Sequence, residues 1–344
     1  IVGLDAISSI SFAKLRHEER AARFAIIKLI GIFINIALNL YFIVHKGLGI
    51  EYIFISNLIS SIVTIFFLSP EMLMSKLTFD IGIWKKMIIY ALPLLIAGLA
   101  GMTNEAIDRV LLKHLLPNPD TASSELGLYG AFYKLSIIMI LFVQTFRFAA
   151  EPFFFTQYKQ KNDRKIYADV MKYFTIVMMG IFLSVIIFYD FAIEFLGPAY
   201  HDERGFVVVS ILLLSNLFLG VFFNLSIWYK LTGQTIFGAY LAIFGAIITL
   251  TLNIVLIPKI GFIGSALATL ACYFSMALAS YILGKKYFPV PYQIKRMLLY
   301  FFGMLSIYFI ICKTHLNTSI NALFLAGFII FVYILEKRKK PIKT

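Results

Sequence analysis

The sequence predicts an all-α fold, a polytopic integral membrane helix bundle. Of its 344 residues 60% are hydrophobic and 14% charged, against roughly 25% charged in soluble domains, so lipid is the solvent this chain suits. In a bilayer every backbone N–H and C=O must be satisfied inside the protein, which leaves helices or a closed barrel. Barrel strands alternate apolar and polar residues at period two, whereas Ile26 to Val44 runs apolar all round. Helices follow.

A spanning helix needs about 20 mostly apolar residues. Ten stretches qualify: 24–44, 50–69, 86–112, 128–156, 170–196, 206–228, 236–257, 262–284, 297–313 and 318–335. Residues 1–23 read as the last turn of an earlier span followed by a charged loop, Lys14 to Arg23. With that loop placed in the cytoplasm, alternation puts 22 of the 31 Lys and Arg, Lys172 and Lys230 among them, on the cytoplasmic side. Five (Lys46, Lys113, Arg204, Lys259, Lys313) fall opposite and four within spans. This is the asymmetry of the positive-inside rule. The net charge of +13 is thus topological, no nucleic-acid partner is implied, and the C-terminus is cytoplasmic. Cys272 and Cys312 sit in apolar stretches as packing residues and suggest neither a disulfide framework nor a metal site.

An internal repeat organises the chain. The stretch from Leu38 resembles the stretch from Leu252: each has Leu-Asn near the end of a span, a Lys- and Gly-containing turn, then another span. Asn39 and Asn253 lie 214 positions apart, a period of six spans. An even period keeps the membrane orientation, so these are parallel repeats, as in many transporters. The expected plan is two six-helix lobes plus two terminal helices, with the first four helices missing. Residues 1–75 would end the N-terminal lobe, 76–290 would be a complete six-helix lobe, and 291–344 two terminal helices with a basic tail.

Ionisable residues inside spans are costly and are candidates for function by default. In 86–112, Asn104, Glu105, Asp108 and Arg109 make one face polar. That face is either a cavity wall, with Arg109 meeting an anionic headgroup and Asp108 or Glu105 taking a proton or cation, or an interfacial ion pair. In 128–156, Arg147 and Glu151 stand one turn apart and can pair, and Arg147 is the leading functional cation. Lys134 lies about 140° around the helix from Arg147, close enough to the surface to snorkel. Asp190 and Glu194 read as interfacial, and Pro93 and Pro152 as sites that permit kinks. Gly261, Gly264, Ser265, Ala268 and Ala271 would let two helices pack closely. No phosphate-cradling loop or HExxH is present and the five His are scattered, so no catalytic residue, metal or cofactor is expected.

At the level of family, the chain resembles the polysaccharide biosynthesis transporters, the O-antigen flippase branch of the multidrug/oligosaccharidyl-lipid/polysaccharide exporter superfamily. The resemblance rests on Asn104-Glu105-Ala106-Ile107-Asp108-Arg109, Leu126 to Leu135 (LGLYGAFYKL), Glu151-Pro152-Phe153 and Gly261 to Ala266 (GFIGSA), in that order along nearly the whole chain. It implies a flippase of the bacterial inner membrane that moves undecaprenyl-diphosphate-linked oligosaccharide by alternating access, without enzyme activity. It also implies cavity cations (Arg147, Arg109, Lys134) for the anionic cargo and a proton or sodium ion taken by Asp108, Glu105 or Glu151. Membrane lipids and other membrane proteins of polysaccharide assembly would be its partners. The family has fourteen spans against ten here, and the chain starts at Ile1 rather than Met, hence the four helices expected upstream. Two alternatives stand beside it, one within transporters and one of a different class. An ion-coupled multidrug antiporter would carry an acidic cavity, whereas the deeper charges here are basic. A membrane-embedded sugar-modifying enzyme would need a His or carboxylate centre, which the largest outer loop, Pro117 to Glu125, lacks.

Overall fold

The computed structural model describes residues 1–73, 80–116, 119–160, 163–314 and 317–337. Lys76, Pro117, Lys161, the basic tail from Arg338 and the side chains of Asn104 and Glu105 lie outside the described residues. All secondary structure among the described residues is helical. The chain forms two compact units, Ile1–Trp84 and Lys85–Thr344. The first holds α1 (Val2–His17), α2 (Ala21–Asn39, continued as a π-helical turn over Leu40–His45) and α3 (Glu51–Leu73). Next comes α4 (Ile81–Leu115), which opens the second unit. It is followed by α5 (Pro119–Lys159), α6 (Lys165–Ile187), α7 (Tyr189–Glu194), α8 (Arg204–Leu225), α9 (Ile227–Leu231), α10 (Ile236–Ile260), α11 (Phe262–Tyr287), α12 (Ile294–Thr314) and α13 (Thr318–Lys337). Among the described residues ten segments are long and apolar enough to cross a bilayer, and each overlaps one expected span. The chain is a multi-pass, all-helical membrane protein.

Three local expectations are corrected. The charged loop Lys14–Arg23 is mostly helix: Ser8, Ser11, Phe12 and Leu15 form a buried stripe on α1, the i, i+3, i+4, i+7 spacing of an amphipathic helix. Phe12 and Leu15 pack with Ile27 and Leu68. The cations that hid this helix from a hydropathy scan are anchored on Glu71, which is buried. Arg23 Nε lies 2.8 Å and Arg20 Nη1 3.5 Å from its carboxylate, and Lys14 Nζ donates to its backbone carbonyl. Second, the span expected over 170–196 stops at Ile187. Phe188 leaves the helical region (φ −97°, ψ 19°) before the short α7, and Asp190 and Glu194 are exposed on it. Third, the outer loop that includes Glu125 is already helix from Pro119, the first helical position that proline favours.

In the second unit α8 is apolar around most of its circumference and buried over most of its length, the pattern of a central helix. It packs against α5, α6 and α11; α10 packs on α11, and α12 and α13 pack on α6. Close approach of α10 and α11 rests on Gly264, where a Cβ would fall 2.7 Å from the Leu256 carbonyl carbon. Backbone cannot give way as a side-chain tip does. Gly264→Ala is therefore expected to cost about 1–3 kcal/mol, the range for overpacking, in a denaturant titration of the protein in detergent. Gly180→Ala, inside α6 with nothing within 4 Å of the added carbon, should leave the midpoint unchanged or raise it, since Ala is the better helix former.

The hairpins α2–α3 and α10–α11 share a register. Gly31 and Gly245 each lie where an added Cβ would collide with the second helix of its own hairpin. Asn39 and Asn253 each donate to the residue four earlier, Asn35 Oδ1 and the Thr249 carbonyl. Gly47 (φ +62°) and Gly261 (φ +59°) each turn the chain with a left-handed backbone that favours glycine. Both glycine pairs have the spacing that separates Asn39 from Asn253.

Candidate functional site

Two polar clusters lie at opposite ends of α5. At its C-terminal half Phe146, Arg147, Ala150, Glu151 and Phe154 fall on one face by helical spacing. With Phe223, Asn224, Ile227 and Lys230 of α8 and α9 they line a notch of about 20 Å³, room for about one water. The notch shows where charge is held; it is too small for a sugar. Arg147 sits about 18 Å along α5 from Lys159, within the segment Thr121–Lys159 that is long and apolar enough to span. Lys230 Nζ donates to Glu151 Oε1 at 2.7 Å. The pairing of Arg147 with Glu151 that one-turn spacing allows is thus replaced by a cross-helix pair. Arg147 instead stands 4.7 Å over the Phe223 ring, and among the described residues it has no carboxylate oxygen within salt-bridge distance. The cluster carries two cations and one anion, and the surplus charge is a guanidinium on an aromatic face. Asn224 adds a buried amide oxygen that has no hydrogen-bond partner among the described residues. From α4, Tyr90 donates through its hydroxyl to the Lys230 carbonyl (3.3 Å) and accepts through its own carbonyl from Thr235 Oγ1 (3.0 Å).

At the other end Asp108 of α4 is 3% exposed. Its Oδ2 accepts from Tyr129 OH at 2.8 Å and its Oδ1 from the Arg109 backbone N–H at 2.9 Å. Arg109 itself is exposed, 4.9 Å over the Tyr133 ring, and Lys134 is exposed. Arg204 at the start of α8 grips Glu125 of α5 with two hydrogen bonds (3.1 and 3.0 Å) and Asp202 at 2.7 Å. Its guanidinium lies 4.4 Å over Phe262, which packs in turn near Tyr129 and Phe132. Three stretches far apart in sequence, Ile107 to Arg109, Leu126 to Tyr133 and the Gly261–Ala266 turn, therefore converge here.

The six candidates taken from the sequence thus divide. Arg147 and Glu151 share the notch; Asp108 and Arg109 stand roughly 27 Å away, the rise of α5 between Tyr129 and Arg147; Lys134 joins neither, and Glu105 has no described side chain. Sequence spacing gave no sign of Lys230, whose partner lies 79 positions away, or of Lys172. Counted with the cytoplasmic charges, Lys172 is instead 2% exposed within α6 and donates to Glu336 Oε2 at 2.6 Å. Glu336 also accepts from Tyr300 OH at 2.7 Å. No sequence-local signal marks either pair.

Asp202 lies outside the spans, and the hydrogen bonds from Arg204 hold its carboxyl below the usual carboxylate value of 3.8. A depressed pKa contributes stability above the unfolded value and loses it as pH falls through the folded one. The stability gap between the unaltered protein and Asp202→Asn is expected to be constant near neutral pH and to shrink below about pH 4, as thermal melts of the two proteins in detergent would show.

Fold and site together define a polytopic helical membrane bundle. The fold is similar to a crystal structure of MATE in the bent conformation (TM-score 0.70, 14% identity, covering 82% of this chain and 65% of that one). It is also similar to MATE in complex with MaL6 (TM-score 0.65, 16% identity, 82% and 66%). A third similar structure is a MOP superfamily transporter from Pyrococcus furiosus, described as having a binding pocket of reverse polarity (TM-score 0.65, 15% identity, 82% and 66%). The chain thus spans about two-thirds of the length of the structures it matches. Residues 1–203 match the polysaccharide biosynthesis protein family, and the chain belongs to that family. No curated protein matches it.

Proposed function

We propose that the protein is an exporter, not an enzyme, that carries a lipid-linked oligosaccharide with an anionic diphosphate across the bacterial inner membrane by alternating access. The observation that carries this reading is Arg147, a cation within the segment Thr121–Lys159, held over Phe223 and left without a carboxylate among the described residues. A guanidinium so placed is suited to a diphosphate, whose oxygens it can take two at a time. Glu151 gives the cluster a switch: a proton reaching it would end its pairing with Lys230 and free a second cation for the cargo. Asp108, already holding two hydrogen bonds, is the second place where a coupling proton would act. Family membership and the 22 Lys and Arg that alternation gathers on one side support the orientation, with the C-terminus in the cytoplasm.

Cells lacking the intact protein are expected to lose surface polysaccharide and accumulate the lipid-linked precursor, both restored by the unaltered gene. Normal surface polysaccharide together with new drug sensitivity would replace this reading with a multidrug antiporter.

A further inference from the structure

A second cavity in the Lys85–Thr344 unit lies apart from the charged notch. It is a groove of about 260 Å³ bounded by α6, α8, α11 and α12. On α12 its walls are Ile294, Met297, Leu298 and Phe301, a stripe at i, i+3, i+4 and i+7; on α11 they are Phe274, Ala277, Leu278 and Tyr281 at the same spacing. Thr175 is its one hydroxyl away from the mouth, and that hydroxyl already donates to the Met171 carbonyl at 2.7 Å. The groove walls thus have nothing to offer a sugar or a phosphate and suit hydrocarbon.

The two ends of the groove differ. Tyr281 and Tyr292, their rings 6.2 Å apart, stand at the end where α11 finishes and α12 begins, as amphipathic rings do at the headgroup level. Lys285 continues the α11 stripe one turn beyond Tyr281, Lys286 follows it, and Lys295 adjoins Ile294. All three are exposed, and among the described residues none forms an ion pair. Acids at this end of the bundle have other partners: Asp163 pairs with Lys165, Asp169 accepts from Gln293, and Glu336 faces Lys172 and Arg296. From Phe274 to Lys285 the α11 wall runs about 16 Å, so a chain lying in the groove ends at Lys285, with Lys295 one residue off the α12 stripe and Lys286, its ammonium 5.5 Å over the Tyr287 ring, one residue off the α11 stripe. Basic clusters beside an apolar intramembrane groove recruit anionic headgroups.

We infer that this groove is a binding site for an anionic phospholipid, with one acyl chain along α11 and α12 and the phosphate held by Lys285, Lys286 and Lys295. The inference is independent of the cargo reading, since it uses none of the residues of the notch. The site would fasten the α12–α13 pair to α11 through the lipid and make the protein sensitive to membrane charge.

The test is native mass spectrometry of the full protein titrated with dioleoyl phosphatidylglycerol, dioleoyl phosphatidylcholine or undecaprenyl phosphate. The unaltered protein should retain phosphatidylglycerol in preference to phosphatidylcholine. Changing the three lysines to serine should lower that preference roughly fivefold per lysine and leave phosphatidylcholine retention as it was. Ala277→Trp, which fills the groove, should lower retention of both. Equal retention of the two phospholipids by the unaltered protein, or an unchanged preference in the lysine variant, would overturn the site. So would undecaprenyl phosphate displacing phosphatidylglycerol one for one, which would give the groove to the tail of the cargo. The lysines are exposed, so their replacement decides the matter even where Ala277→Trp fails to fold.

Discussion

Glu336→Leu is expected to destabilise the Lys85–Thr344 unit by about 3–5 kcal/mol, the cost of removing one partner from a buried ion pair. Lys172 is 2% exposed, and with Glu336 gone its ammonium would keep, among the described residues, the half-exposed Asp169 at 3.6 Å and the face of the Tyr173 ring at 4.4 Å. The reverse change is milder. After Lys172→Met, Glu336 retains the Tyr300 hydroxyl at 2.7 Å and Arg296 at 3.5 Å, so the loss should fall at or below the lower end of that range. In the double variant no unpaired charge is left inside, and replacing a whole buried ion pair by apolar side chains of similar volume is often neutral or stabilising. Lys172→Met/Glu336→Leu should therefore recover most of the stability that Glu336→Leu removes. Equilibrium unfolding in mixed micelles, run on the three variants, measures the coupling; a double variant as unstable as the two single losses added together would show that the pair does not interact.

Arg147→Ala should abolish export while leaving insertion and abundance normal. The reason is again what surrounds the group. Glu151 is occupied by Lys230 at 2.7 Å, so loss of the guanidinium strands no carboxylate; it removes a cation–π contact with Phe223, about 0.5–2 kcal/mol. A residue that costs little in stability and everything in transport is acting on cargo. Arg147→Lys keeps the charge but not the two-pronged donor, and should retain part of the export. Surface polysaccharide, normalised to protein in the membrane, reads both variants. Normal export from Arg147→Ala would remove Arg147 from the cargo path and with it the proposed role of the notch.

Much of the fold was legible in sequence because lipid imposes so strict a rule. A helix facing hydrocarbon must be apolar over about 20 residues, and each of the ten expected spans has its counterpart in the structure. The register of the two hairpins was legible too, since Asn39 and Asn253 stand before glycines that must turn left-handed. Charge was read less well, because a hydropathy window sees only neighbours in the chain. Lys172 counted with the cytoplasmic charges; its partner Glu336 is 164 positions on. Arg147 and Glu151 looked like a pair; Lys230 arrives from α9 and takes the carboxylate. The cations around α1 masked a helix whose buried stripe, Ser8 to Leu15, was present in the spacing. The break at Phe188 has no glycine or proline to announce it before Gly197 and Pro198.

Transfer between leaflets is the property on which the proposed function stands. The intact protein, reconstituted into vesicles whose outer leaflet carries radiolabelled undecaprenyl-diphosphate oligosaccharide, should move label to the inner leaflet when a proton or sodium gradient is imposed, and Arg147→Ala should not. Label that crosses no faster than in protein-free vesicles, under either gradient, would contradict the account.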